Sequence, residues 1–326
     1  MTFNTQQELS ASGVRLDAKD AVPLRRPGRW IGAAIVLVLL GMLVHLLVTN
    51  PNLQWEVVKT YLFSGIIMSG LLRTLELTAT AMLLGLFIGI IIALMRLSAN
   101  PVLNWVSWGY IWFFRGIPPI VQLLFWYNLA SLTEKLSLGI PFFHVTFLSV
   151  TTNSAISPYT AALLGLALTE SAYAAEMIRA GVQAVSRGQL EAASSLGMKR
   201  GQAMRRIVLP QALRIVIPPI FNDSISMLKF TSLVSVLAIP DLLYSAEEVY
   251  SRTYQTIPLL LVATIWYLVL STILTVIEHR VEGRLRRGHA SKDGRPGRPA
   301  MPGYRSRWRL WNGPSPSEEP APIGLS

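Results

Sequence analysis

Of the 326 residues, 52% are hydrophobic and only 14% are charged, and the formal net charge is +11. This composition is too apolar for an ordinary soluble domain of this size, so it predicts an integral membrane protein. The basic residues are segregated into separate segments and form no folded basic surface, which argues against nucleic-acid binding as a function. The chain has no cysteine, which excludes disulfides and thiolate metal sites.

Six apolar stretches are long enough to cross a bilayer, since a spanning helix needs about 20 residues. We therefore predict an all-α integral membrane protein with six transmembrane helices. The third stretch contains Pro118 and Pro119, which would break a simple helix, so a buried core helix remains an alternative there. In chain order the stretches are 30–49, 74–95, 114–132, 158–178, 213–239 and 258–277.

Both ends of the chain are polar and basic. We expect residues 1–29 to form an N-terminal tail and residues 30–65 to form one helix followed by an outer loop. Stretch 30–49 is too long for the apolar part of a signal peptide and has no suitable cleavage site after it, so we expect it to be retained. The Pro-, Gly- and Arg-rich residues 283–326 cannot bury enough apolar surface to fold and are predicted to be disordered.

Lysine and arginine are concentrated in the N-terminal tail, in the segment around 186–210 and in the C-terminal tail. The intervening loops 50–65, 133–157 and 240–256 contain few basic residues. Because cytoplasmic loops carry the excess of basic residues, both termini and segment 186–210 are predicted to face the cytoplasm.

Segment 186–210 has the pattern of a helix, a break and a basic helix. Ser186 and Gln189 fit a capping box, and Gly197 stands where a left-handed cap would end the first helix. Ala192, Ala193 and Leu196 would give this helix a small apolar face, and Glu191 lies in its first turn, where the helix dipole favours a carboxylate. A solvated amphipathic loop helix is the alternative interpretation.

Ionisable residues within the apolar stretches are candidates for a substrate pathway, because a charge in hydrocarbon usually faces a cavity or a partner. Glu170 and Asp223 would suit the ammonium group of an amino acid. Lys229, Thr231 and Ser232 would suit its carboxylate. A buried Glu170–Lys229 salt bridge that fixes the helix register is an equally good interpretation.

Two further patterns, Glu176 with Arg179 and the motif that begins at Arg115, have local structural interpretations. Glu176 and Arg179 are spaced for an ion pair on one helix surface. Arg115-Gly116-x-Pro118-Pro119 favours a broken helix at the membrane boundary, with Tyr110 and Trp112 as interfacial anchors. This break would position a gate helix, or it would be a plain reversal of the chain.

The spacing of Glu191-Ala192-Ala193, Gly197 and Ile207-x-Leu209-Pro210 resembles the EAA loop of ABC importer permeases. The resemblance to polar amino acid permeases of this superfamily extends over 66–282. It rests on Gly70 to Thr78, Tyr110 with Arg115-Gly116-x-Pro118 and Gln122, Ala172 to Gly181, and Leu228-Lys229-x-Thr231-Ser232. One departure is Phe230, where the family usually has Asp, so Lys229 lacks the neighbouring anion that the family provides.

The resemblance implies a type I ABC importer permease of a bacterial inner membrane, with Glu191, Ala192, Ala193 and Gly197 on the helix that couples to the ATPase. It also implies three protein partners: an ABC ATPase dimer, an extracytoplasmic binding protein and a second permease subunit, which is either a copy or a similar chain. Membrane lipid is expected to surround the subunit. The chain has no phosphate-binding GxxxxGK[ST] loop, so we expect no enzyme activity, and we expect neither a cofactor nor a metal site. A secondary transporter or channel, or a membrane receptor or scaffold, is the alternative function.

Overall fold

The computed structural model describes residues 27–140 and 145–286. Thirteen α-helices and two β-strands lie in these ranges, joined at three places by 3₁₀ or π turns. The helices are α1 (Pro27–Thr49), α2 (Trp55–Leu62), α3 (Gly65–Arg96), α4 (Pro101–Gly116), α5 (Pro119–Tyr127), α6 (Leu129–Leu132), α7 (Thr152–Ala155), α8 (Pro158–Gln183), α9 (Arg187–Ser195), α10 (Arg200–Ala203), α11 (Leu209–Phe230), α12 (Leu242–Thr253) and α13 (Thr256–Arg286). The strands are β1 (Lys135–Ile140) and β2 (Val145–Thr151), and the turns are Pro51–Leu53, Met204–Val208 and Thr231–Leu237.

The chain divides into two compact units, one ending at Thr60 and one beginning at Tyr61. The first unit contains α1, which is apolar on all sides, as expected of a helix surrounded by hydrocarbon. Most of the predicted N-terminal tail, and the predicted disorder of the C-terminal tail beyond Arg286, lie outside the described residues. Within them, α13 continues through residues 283–286, which were predicted to belong to the disordered tail.

Four helices of the described part are long and apolar enough to cross a membrane: Trp30–Thr49, Gly65–Arg96, Pro158–Gln183 and Thr256–Leu285. Segments Arg200–Leu237 and Leu242–Thr253 meet at a bend of 44° and make a fifth crossing if they count together. The membrane-protein prediction is confirmed, but six continuous helices are not present among the described residues. Stretch 114–132 is divided between helices, and stretch 213–239 counts as a crossing only within the bent pair.

Stretch 114–132 is divided between α4 and α5 because Ile117 is extended and Pro118 and Pro119 follow it. Two carbonyl groups at the break are paired by a side chain. The side chain of Gln122 donates hydrogen bonds to the carbonyl oxygens of Phe114 at 2.9 Å and Ile117 at 3.1 Å. A polar side chain thus closes the break inside an apolar region, where an unpaired carbonyl would be costly.

Helices α3 and α8 form the most extensive helix pair of the second unit, and glycine permits their close approach. A Cβ atom at Gly85 would lie 2.5 Å from Cγ of Glu170, and one at Gly89 would lie 2.7 Å from Cβ of Ala174. Since the contact positions rise together along both helices, α3 and α8 run in the same direction. Arg96 and Gln183, which end the two helices, therefore lie at the same end of the pair.

Loop 133–157 contains a β-hairpin, so the all-α prediction is wrong there. Strands β1 and β2 pair antiparallel, with Leu136 opposite Val150 and Ser137 opposite Ser149. The sequence of β2, VTFLSVT, is rich in β-branched and aromatic residues, which favour strands. A short apolar run outside the long stretches was open to this pairing, which hydropathy alone does not predict.

Candidate functional site

Glu170 on α8 and Asp223 on α11 form a pair of carboxyl groups between packed helices. Their side chains lie within hydrogen-bonding reach of each other. Glu170 is only 2% exposed, and Asp223 is half-buried. One oxygen of each group, Glu170 Oε1 and Asp223 Oδ2, is buried without a hydrogen-bond partner among the described residues.

The pair needs a positive charge or a shared proton, because two adjacent carboxylates repel strongly where water is scarce. None of the ion pairs formed among the described residues involves Glu170 or Asp223. Gly85 of α3 provides the space into which the Glu170 side chain fits, since any side chain at that position would overlap it. Three helices therefore define an acidic position that has no basic residue of the described chain beside it.

The structure does not form the Glu170–Lys229 salt bridge that the sequence left open. Lys229 is exposed and lies six residues after Asp223, which turns it to another side of α11. Thr231 is buried and its hydroxyl donates to the carbonyl of Leu228 at 2.7 Å. The hydroxyl of Ser232 donates to the carbonyl of Lys229, also at 2.7 Å. The end of α11 thus holds Lys229, Thr231 and Ser232 together, six or more residues after Asp223 of the carboxyl pair.

The predicted coupling segment is a helix that ends in a glycine cap. Gly197 has φ +71°, the left-handed conformation that favours glycine. The amide of Met198 donates to the carbonyl of Ala193 at 3.0 Å, and the amide of Gly197 donates to that of Ser194 at 2.9 Å. These two bonds form a Schellman motif, which ends α9 as expected. At the other end, Ser186 occupies the N-cap position but its side chain makes no capping bond, so the capping box is not formed.

The four residues predicted to couple to the ATPase differ in exposure. Ala193 is buried, whereas Glu191, Ala192 and Gly197 are exposed. Leu196 was predicted to contribute to the packed apolar face, but it is 81% exposed. The cap at Gly197 ends the helix before Leu196 can turn inward, so a large apolar side chain is left at the tip. In the sequence, a leucine directly before the capping glycine was the pattern that could have indicated this exposure.

The coupling segment is fixed to the two helices on either side of it. Val185, which follows α8, forms a buried cluster with Val208 and Ala212, which lie at the start of α11. At Gly181 a Cβ atom would lie 2.1 Å from Cγ2 of Val216, so α8 and α11 touch closely just before the segment. A displacement of α9 would therefore move both helices, because packed interfaces shift as rigid bodies.

The motif around Arg115 lies against α8. The guanidinium of Arg115 is 5.1 Å from the ring centroid of Tyr173. The hydroxyl of Tyr110 is 2.6 Å from that of Ser171, so Tyr110 is a packing residue in addition to its predicted place at the interface. The predicted pair of Glu176 and Arg179 is confirmed, with Arg179 Nε donating to Glu176 at 2.9 Å.

Comparisons with known proteins identify relatives along most of this architecture. The arginine transport system permease protein ArgU of Corynebacterium glutamicum is 44% identical over 276 residues, which are 82% of this chain and 84% of that protein. The glutamate/aspartate import permease protein GltK of Escherichia coli is 35% identical over 63% of this chain and 87% of its own. An amino acid ABC transporter solved in crystals with histidines is 36% identical, with a TM-score of 0.59 over 67% of this chain and 94% of that chain.

The family described as binding-protein-dependent transport system inner membrane component matches residues 85–287, which is more than half of the chain. This range includes the carboxyl pair, the coupling segment and the broken helix at Pro118. The chain therefore belongs to the binding-protein-dependent transport system inner membrane components, as a non-catalytic, multi-pass membrane subunit of an ABC importer for amino acids.

Proposed function

We propose that this permease subunit carries cationic amino acids of the arginine type into the cytoplasm, and that the Glu170–Asp223 pair binds their positive group. The observation that carries the proposal is the buried contact of two carboxyl groups with no basic partner among the described residues. A guanidinium or ammonium ion placed there would remove the repulsion and supply the missing donors. The planar guanidinium suits it best, since its parallel N–H groups match carboxylate oxygens.

The relatives support the same class but do not by themselves define it. ArgU carries arginine in its name, whereas GltK carries glutamate and aspartate. Related permeases are therefore named for amino acids of opposite charge, and the charge of the site has to distinguish them. Lys229, with Thr231 and Ser232 beside it, is proposed to contact the carboxylate end of the substrate in a conformation that turns this end of α11 toward the pathway. In the conformation described, both hydroxyl groups donate to backbone carbonyls of the preceding turn.

The proposed topology has six crossings with both termini in the cytoplasm. One of these crossings is stretch 114–132, which begins in the last turn of α4, is broken at Pro118 and continues through α5 and α6. The separation of basic and non-basic loops supports this orientation, which puts the hairpin of β1 and β2 outside and α9 inside.

Energy is proposed to enter through α9, which meets an ABC ATPase dimer. Its exposed Glu191, Ala192 and Leu196 are available to a partner, while buried Ala193 fixes the helix to the permease. A second permease subunit, either a copy or a similar chain, is proposed to complete the pathway, and an extracytoplasmic binding protein delivers the substrate. Alternating access then requires two conformations. In one the carboxyl pair is open to the outside, and in the other it is open to the cytoplasm.

The experiment that tests the substrate class is competition for uptake in cells that depend on this transporter. Uptake of labelled arginine is expected to be inhibited by an excess of lysine or ornithine and to be unaffected by an excess of glutamate. Citrulline, which has the shape of arginine without its charge, is the matched control and is expected to compete weakly. Strong inhibition by glutamate or citrulline would contradict the assignment of a cation to the carboxyl pair.

A further inference from the structure

A cavity of about 470 Å³ opens beside the last turns of α8, at the end of the bundle where α3 also ends. Three arginines from three helices line it: Arg96 of α3, Arg115 of α4 and Arg179 of α8. The acidic residue in the lining is Glu176. Three guanidinium groups against one carboxylate leave a net charge of about +2, which makes the cavity complementary to an anion.

The three arginines differ in how far their hydrogen-bonding capacity is used. Arg179 pairs with Glu176 and also donates to Gln183. Arg96 donates to the side chain of Asn104. Arg115 makes neither a hydrogen bond nor an ion pair with any residue that the structure describes, and its contact is the face of Tyr173. Its five N–H groups are therefore free to bind a ligand in the cavity.

A row of three tryptophans on α4 includes two that line the same cavity. Trp105, Trp108 and Trp112 of α4 are 73%, 48% and 67% exposed, and their spacing of three and four residues puts them on one helix face. Trp108 and Trp112 stack with their ring centroids 6.4 Å apart, and both line the cavity. Exposed tryptophans in a row are typical of a helix at the level of the lipid headgroups.

We propose that this cavity binds the phosphate group of an anionic phospholipid from the leaflet on the side of α9. Arg115 contacts the phosphate, Arg96 and Arg179 contribute their charge, and the tryptophan row lies along the glycerol and the first part of the acyl chains. Guanidinium groups are the preferred side chains for phosphate because they bind it bidentately. The apolar rim distinguishes a lipid from free phosphate, which would gain nothing from exposed tryptophan. A lipid bound there would join the ends of α3, α4 and α8 next to the coupling segment.

Thermal unfolding of the purified full-length permease in neutral detergent, combined with native mass spectrometry, tests the site. Phosphatidylglycerol is expected to raise the unfolding temperature and to remain bound in a one-to-one complex. Phosphatidylcholine, whose headgroup carries no net charge, is expected to do neither at the same concentration. Inorganic phosphate and glycerol phosphate are expected to give no shift, because they lack the chains that the tryptophans contact.

Variants locate the binding to the cavity. Arg115→Gln is expected to weaken phosphatidylglycerol binding about tenfold or more, the effect of losing one charge-assisted contact. It breaks no hydrogen bond among the described residues, so the folded protein should persist. Trp112→Leu is expected to weaken the same lipid without creating any response to free phosphate. Arg252→Gln on α12 removes an exposed arginine elsewhere and is expected to change nothing.

The proposal fails if phosphatidylcholine stabilises the protein as well as phosphatidylglycerol does, or if Arg115→Gln binds the anionic lipid with parental affinity. A full shift with inorganic phosphate alone would assign the cavity to a free anion instead. None of these results depends on the transported substrate, so they are independent of the test of the proposed function.

Discussion

The double variant Glu170→Gln with Asp223→Asn is expected to reduce arginine uptake by at least about tenfold while the permease remains folded. A charge-assisted hydrogen bond contributes about 1.5–3 kcal/mol, which corresponds to a change of about ten- to a hundredfold in binding. The amide groups keep the shape of the carboxyl groups but remove both negative charges. Uptake rates at several arginine concentrations measure the effect.

The stability of this variant distinguishes a substrate site from a structural pair. Because the two carboxyl groups repel when ionised, their replacement is expected to leave the unfolding temperature unchanged or to raise it. If the pair instead stabilised the bundle, the double variant would unfold at a lower temperature. Glu56→Gln, which removes an exposed carboxylate from α2, is the control and should preserve both uptake and stability. Parental uptake in the double variant would contradict the proposed role of the pair.

The second large effect is expected at the tip of α9, the helix proposed to meet the ATPase. Leu196→Asp should leave the membrane domain folded, because the side chain is 81% exposed and contributes little to its packing. It should weaken retention of the ATPase by more than about tenfold, since truncating a central apolar anchor of an interface typically costs 2 kcal/mol or more. Co-purification of the ATPase with the permease, followed by uptake, measures both consequences.

Two glycines near the end of α9, Gly197 at its cap and Gly201 on α10, provide a matched comparison. Gly197→Ala forces a side chain into a left-handed backbone, which costs about 1 kcal/mol, and should weaken coupling measurably. Gly201→Ala on α10 meets open space and has an ordinary backbone, so it should be neutral.

In the cysteine-free chain, Ser154→Cys should react with an impermeant thiol reagent in intact cells and Ser194→Cys should not. Normal ATPase retention in Leu196→Asp, or labelling of Ser194→Cys alone, would refute the assignment of α9.

The long apolar helices and the glycine cap at Gly197 could be predicted from the sequence because each depends on local chemistry. Length and hydropathy suffice for α3, α8 and α13, and a left-handed position after a short helix favours glycine. The division of stretch 114–132 was visible only as a pair of prolines. Its consequence, two helices with Gln122 closing the gap between them, depends on a side-chain contact that hydropathy does not describe.

The site was harder to predict because it depends on how helices rotate against one another. Glu170, Asp223 and Lys229 were identified as candidates, but the sequence could not decide whether Glu170 lies beside Asp223 or pairs with Lys229. The rotation of α11 places Asp223 opposite Glu170 and turns Lys229 away, and this rotation follows from packing over many residues. The arginine cavity could not be predicted for the same reason. Its three arginines are far apart in the chain and meet only where α3, α4 and α8 end.

ATP-driven uptake of labelled arginine into liposomes tests the central claim most directly. The permease would be purified with its ATPase, reconstituted with ATP on the side of α9, and supplied with its binding protein on the other side. Uptake is expected to require ATP and the binding protein, and to persist when ionophores abolish all ion gradients. Uptake that continues without ATP and stops with the ionophores would contradict the account and identify the chain as a secondary transporter.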